Sequence, residues 1–111
     1  MSASTPLLVV LTTLPDLTSA RQLAASLLAQ QLVACAQIGS PITSLYVSQG
    51  QTEESAEIPL LLKTTEAAYP VLEAAIRQQH PYDTPEIIAS PVSHAFTGYA
   101  DWVRAAVIPA G

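Results

Sequence analysis

Leu7-Leu8-Val9-Val10-Leu11 is a continuous apolar run that the turn residues Thr12 to Pro15 stop after five positions, which predicts a buried central strand rather than a helix. From Asp16 or Thr18, either of which can cap a helix, apolar residues then fall at Ala20, Leu23, Ala24, Leu27 and Leu28, the spacing of one helical face. Val33 to Ile38 reads as extended; Gly39-Ser40-Pro41 punctuates it, and Ile42 to Val47 resumes the strand until Gly50 marks a reversal. Beyond the acidic residues Glu53, Glu54 and Glu57, Ile58 to Thr64 predicts a third strand, with Pro59 at a bulge or an edge because it cannot donate to a ladder. Thr65 is placed to cap a second helix, with Pro70 near its start and Leu72, Ala75, Ile76 and Gln79 on one face. A fourth strand is predicted from Glu86 to Val92, and a last short helix from Thr97 to Val107 with Tyr99, Trp102, Val103 and Ala106 facing inward.

That order, βαββαβ plus a C-terminal helix, predicts an α+β fold of the ferredoxin-like, split βαβ type. Right-handed crossovers put both long helices on one face of a four-stranded sheet and leave the other face needing a cover. Residues 1–6 are expected to form a disordered tail and residues 7–108 a single domain. A stretch from Val33 to Val47 that stays extended spans on the order of 45 Å, whereas a domain of this length has a radius of gyration of about 13 Å. The hairpin therefore overhangs its own domain, and pairing with a neighbouring chain is the simplest way to cover it.

Composition narrows the function classes. Half of the 111 residues are apolar and only 12% are charged, so apolar surface is left over for a partner. Nine Asp and Glu against four Lys and Arg give a net charge of −5, which disfavours nucleic acid. No apolar stretch approaches the roughly 20 residues of a membrane span, and Met1 to Thr5 carries no basic n-region, so the expected location is cytoplasmic. Cys35 stands alone in an apolar run, which predicts a buried thiol with no internal disulfide.

The densest chemistry lies in His80-Pro81-Tyr82-Asp83-Thr84-Pro85-Glu86, a stiff turn in which two prolines flank side chains able to bond or ionise. Together with Lys63-Thr64-Thr65 one helix upstream, it resembles the CutA divalent-ion tolerance family, whose members carry a lysine-threonine pair followed by a His-Pro-Tyr and Pro-Glu pattern. The resemblance runs from about Leu8 to Val107. It includes Thr12-Thr13 with Pro15-Asp16, Leu32 to Ala36, Thr43 to Tyr46, and Tyr99 with Trp102. It implies a homotrimer built by sheet pairing between subunits, related in shape to the PII signalling proteins and associated with copper and other divalent ions. In some members a cysteine stands at the position of Thr12 and a His-His pair precedes the Pro-Tyr. Here the positions hold Thr12 and Gln79-His80, so His80 alone remains of three proposed copper ligands. Val47-Ser48 replaces a tryptophan-bearing stretch often found after the Ser-Leu-Tyr pattern.

Two constellations are candidates for function. His80 and Cys35 are metal-ligand types, although 45 residues separate them in no metal-binding motif; each also has a structural reading, as a helix-end histidine and a buried thiol. Lys63, Tyr82 and Glu86, with Glu57 and Trp102, would form an aromatic-walled cleft at a subunit boundary, suited to a small anion or zwitterion, or else an interface salt bridge that binds nothing. The function expected is that of a non-catalytic trimeric protein of metal-ion tolerance with no obligatory cofactor, a divalent metal such as copper being the ion it would meet. The alternative is a small thiol-dependent hydrolase with Cys35 as nucleophile, His80 as base and Asp83 or Glu86 as orienting group. Nothing beside Cys35 activates it.

Overall fold

A computed structural model describes residues 5–109. The elements follow in the order β1 (Leu7–Leu14), α1 (Leu17–Ala29), β2 (Cys35–Ile38), β3 (Ile42–Ser48), β4 (Gln51–Thr65), α2 (Tyr69–Gln79), β5 (Ile87–Pro91) and α3 (Thr97–Ala106). The antiparallel sheet runs β2-β4-β1-β5, with β3 paired to β4 alone, and the fold is α+β and ferredoxin-like as the pattern predicts. Residues 1–4 of the expected tail lie outside the described residues. Pro6 and Thr5 are held: the Glu66 N–H donates to the Pro6 carbonyl at 2.8 Å and Arg104 Nε to that of Thr5 at 2.9 Å.

Alternation along β1 sorts the molecule into two faces. Leu8, Val10 and Leu14 join Ile58, Leu60 and Leu62 of β4 beneath α1 and α2, where Leu23, Leu27, Leu72 and Ile76 complete the main core. Both long helices thus lie on one face. On the other, α3 covers only one end, packing Ala100, Val103 and Val107 on Leu7 and Ala68. This corrects the inward stripe predicted for the last helix: Trp102 and Tyr99 stay partly exposed and stack on each other at 5.7 Å, and the face one residue round supplies the core contacts. Leu28 and Gln79, predicted to face inward, are exposed as well.

Helix ends and turns follow local chemistry. Asp16 caps α1 by accepting from the Ser19 N–H at 2.7 Å. The helix closes with Gln31 at a φ of 58°, the Leu32 N–H reaching the Leu27 carbonyl and the Gln31 N–H that of Leu28, a Schellman ending without glycine. Thr65 Oγ1 accepts from the Ala68 N–H one turn ahead of α2, so its capping role falls on the entry turn and not on the helix itself. In the β3–β4 reversal both central residues, Gln49 and Gly50, have positive φ, the requirement of a tight twisted hairpin turn.

The strand predicted from Ile58 is longer than its apolar run, because β4 has 15 residues and changes partner midway. Its second half pairs with β1 and β2, while Gln51 to Glu57 pair only with β3. At the changeover three residues, Gly39 to Pro41, oppose two, Ile58 and Pro59. The bulge expected at Pro59 is therefore present, and its ring takes the place of a donor where the partner strand changes. The Pro59 carbonyl still accepts from the Gly39 N–H at 2.9 Å. Beyond the bulge β3 and β4 project as a two-stranded arm, which stretches the molecule to 48 × 26 × 23 Å.

Candidate functional site: a cavity at the root of the arm

The stiff turn after α2 is tied to β1 through His80. Burial and the extended backbone at this residue aim its ring at the end of β1, where Nε2 lies 2.8 Å from the Thr13 carbonyl oxygen. The Tyr82 N–H meets Nδ1 at 3.1 Å. Since a carbonyl only accepts and an N–H only donates, Nε2 carries the proton and Nδ1 supplies the lone pair. The ring is neutral: burial holds its pKa below the usual histidine value, against smaller opposing effects of Thr13 and Glu57.

Tyr82 continues the chain of contacts by donating its phenolic O–H to Glu57 at 3.0 Å. Burial, then the Glu57 hydrogen bond and charge, push the phenol up to about 12. Burial raises the Glu57 carboxyl, but hydrogen bonds from Ser44, Tyr82 and Thr13 and the facing His80 outweigh it and keep the carboxylate ionised below its usual range. Around this pair opens a cavity of about 630 Å³, bounded by Thr13, the arm strands from Ser44 to Tyr46 and at Ser55, and the turn residues Thr84 and Glu86. Tyr46 and Ser55 hydroxyls lie 2.8 Å apart across the arm.

The structure brings Glu57, Tyr82 and Glu86 together and leaves Lys63 and Trp102 elsewhere within the chain. Lys63 sits opposite Val9 and Cys35 in the sheet, donates to Gln37 at 2.9 Å, and borders a separate apolar groove under Tyr99 and His94. Trp102 lies on the outer side of α3. The lysine-threonine signature divides its labour: Thr64 Oγ1 donates to the Leu32 carbonyl at 2.7 Å, anchoring the end of α1. Sequence reasoning missed Thr13, Ser44, Tyr46 and Ser55. Their signal was the alternation of Ser44 with Tyr46 and of Ser55 with Glu57, which puts each pair on one face of its strand.

Cys35 is half-exposed on the sheet face opposite α1 and α2, not buried as predicted, because its apolar run alternates faces once it pairs as a strand. Val9 is its level on β1 and Thr13 that of His80, so four residues and two strand spacings, on the order of 15 Å, part the thiol from the imidazole. No Cys-His pair forms, and the hydrolase alternative lacks its base. The donor set does not fit a metal ion either. Among the described residues no three His, Cys, Asp or Glu gather in a metal-holding group. The His80 lone pair is spent on Tyr82, and Thr12 Oγ1 points into the core without a partner.

Known proteins match the chain over nearly its full length. The model of the CutA1 divalent ion tolerance protein family matches residues 8–106. The divalent-cation tolerance protein CutA of Escherichia coli strain K12 / DH10B is 41% identical over 106 residues, 96% of this chain and 95% of its own. Among solved structures, the divalent cation tolerance protein Cut A1 of Thermus thermophilus superposes with a TM-score of 0.89 at 40% identity, over 91% of this chain and 98% of its own. CutA1 of Oryza sativa gives 0.93 at 31% identity, over 96% and 97%. A relative from Archaeoglobus fulgidus, 28% identical, is described as a periplasmic divalent cation tolerance protein. With a family match from residue 8 to residue 106 and relatives of this identity and coverage, the chain belongs to the CutA1 divalent ion tolerance protein family.

Proposed function

We propose that the chain works without catalysis as a homotrimeric divalent-ion tolerance protein, whose arm adds to a neighbour's sheet and whose cavity at the arm's root takes a small ligand. The observation that carries this reading is the arm itself. Strands β3 and β4 leave the body as a two-stranded ribbon, with Leu45 66% and Val47 73% exposed. An isolated ribbon of this kind is marginal in water, and its unpaired edges are templates for another strand. The body offers a matching surface: Leu11, Leu61 and Ile88 share the face opposite α1 and α2, and Val9 continues it toward the groove beside Tyr99 of α3. A divalent ion is then bound at the surface and not as a part of the fold, given the donor geometry around His80. Sedimentation equilibrium at micromolar concentration is the test. A mass near three times the 11.7 kDa of the chain is expected, and a monomer sinks the assembly.

A further inference from the structure

We propose that the turn after α2 is a pH-operated latch: protonation of the His80 ring breaks its bond with the Tyr82 N–H and releases the turn from Pro81 to Glu86, while the sheet stays paired. Geometry carries this. The ring is buried with one nitrogen on an acceptor, the Thr13 carbonyl at 2.8 Å, and the other on a donor, the Tyr82 N–H at 3.1 Å. Only the neutral Nε2–H tautomer satisfies both. A second proton has to go to Nδ1, where it stands against the amide proton of Tyr82 at hydrogen-bond distance, two donors face to face. The Thr13 bond survives that change and the Tyr82 bond cannot.

Little else holds the turn. Pro81 and Pro85 have no N–H, and among the described residues no backbone bond joins residues 81–86 to the rest of the chain before the ladder of β5 begins at Ile87. Tyr82 and Pro85 are half-buried, whereas Pro81, Asp83, Thr84 and Glu86 are exposed. Once the ring has let go, the Tyr82 phenol on Glu57 at 3.0 Å is the remaining tie. A segment so thinly attached opens at lower cost than the sheet behind it. Its release moves Tyr82, Thr84 and Glu86, one wall of the cavity at the root of the arm. The charge that faces the ring is Glu57 of β4, which favours the proton, while burial opposes it and prevails. Asp16, the cap of α1, acts on Tyr82, and Arg77 of α2 and Asp83 of the turn border a separate hollow with Glu73. The bonds of the latch all lie within one chain. A neighbour's charge at this root therefore moves the pH at which the latch opens, not the pairing that the proton breaks.

The test is nitrogen-15 NMR of the intact protein from pH 8 to pH 4.5. Ring nitrogen signals read the tautomer and protonation of His80, and amide exchange and relaxation read the turn. At pH 8 the expected state is the Nε2–H tautomer with a protected Tyr82 amide. As the ring takes its proton, below the ordinary 6.5, protection at Tyr82 should fall about tenfold or more beyond the intrinsic effect of pH, and the amides of Tyr82, Asp83 and Thr84 should become mobile. Val10 and Leu62, inside the sheet, should keep their protection. His80→Gln has no ring to titrate and should lack the change. A ring that stays neutral to pH 4.5, a protonated ring beside a still-protected Tyr82 amide, or loss of protection at Tyr82 and Val10 together overturns the proposal. The same change in a folded His80→Gln also overturns it; where that variant fails to fold, the wild-type titration decides alone.

Discussion

His80 Nε2 stands 2.8 Å from the carbonyl oxygen of Thr13, a bond between residues 67 apart in sequence that fastens the end of α2 to the end of β1. With Nδ1 taken by the Tyr82 N–H, the ring is a two-sided strut with no lone pair to offer. His80→Ala leaves a buried carbonyl and an N–H unpaired, at a cost of about 3 kcal/mol in stability. Copper(II) titration should be the same before and after the substitution, wherever the ion binds. A copper affinity that falls tenfold in a variant still shown to be folded would return His80 to the ligand set.

Acid should weaken the fold in two steps. The folded His80 ring titrates below the ordinary 6.5, so the unfolded chain binds the proton first and stability declines as pH falls through 6.5 toward the lower folded value. Glu57, held below 4.5, contributes stability that is present above 4.5 and is lost as pH falls through its own folded value. Urea midpoints from pH 8 to pH 3 should show both, and Glu57→Gln should remove the lower one.

Tyr82 works from the alkaline side. Its phenol is raised from 10.0 to about 12, so the stability it contributes is whole below pH 10 and fades as pH climbs toward 12. Melting temperature against pH should therefore fall above pH 10 in the wild type. Tyr82→Phe, which has no proton to lose, should lack that component.

Thr12 is the clearest local misfit. Its hydroxyl is buried between Leu60 and Ile87 on the neighbouring strands and has no partner. Thr12→Val keeps the shape and removes the unpaired polar atom, for a gain of about 1 kcal/mol, read as a higher urea midpoint. A lower midpoint would mean that the hydroxyl is bonded after all.

Assembly can be tested from the arm. Leu45→Glu adds a charge beside Glu54, its direct cross-strand partner, on a surface that the proposal covers. The variant should sediment as a monomer at concentrations where the wild type is a trimer. Cys35 gives a second readout, since it sits half-exposed on the open sheet face. Thiol labelling should be slow in the wild type and fast in Leu45→Glu; equal rates would place the neighbour away from that face.

Most of the fold was legible because its signals are local. The run from Leu7 to Leu11, the helical spacing from Ala20 to Leu27 and the punctuation at Gly39 to Pro41 each act over a few residues. Pro59 announced its bulge by lacking a donor. What stayed hidden depends on which surface happens to lie opposite: Trp102 has the amphipathic spacing of a core residue, but Leu7 and Ala68 meet α3 through Ala100 and Val103. The first half of β4 was invisible because Glu53, Glu54 and Glu57 read as a solvated loop, and only pairing with β3 makes them a strand. For the candidate site, Glu57, Tyr82 and Glu86 were grouped through their chemistry, and they line one cavity. Lys63 was grouped with them across a subunit boundary; within its own chain it stands four residues further along β4 from Pro59.

The double pairing of β4 also sets an order of events for a newly made chain. Its arm half meets β3 across a two-residue turn, Ser48 lying opposite Gln51, so that ribbon can close in ~1–10 μs, the scale typical of hairpins. Its body half must wait for β1, whose Leu7 pairs with Thr65 only after the whole intervening chain has been brought round. The arm thus closes, as a marginal and transient ribbon, while the sheet it serves is still open. During that interval its bare edges face other nascent chains, and fast dilution in refolding should raise the yield of correctly joined molecules, because arms then meet finished bodies and not one another.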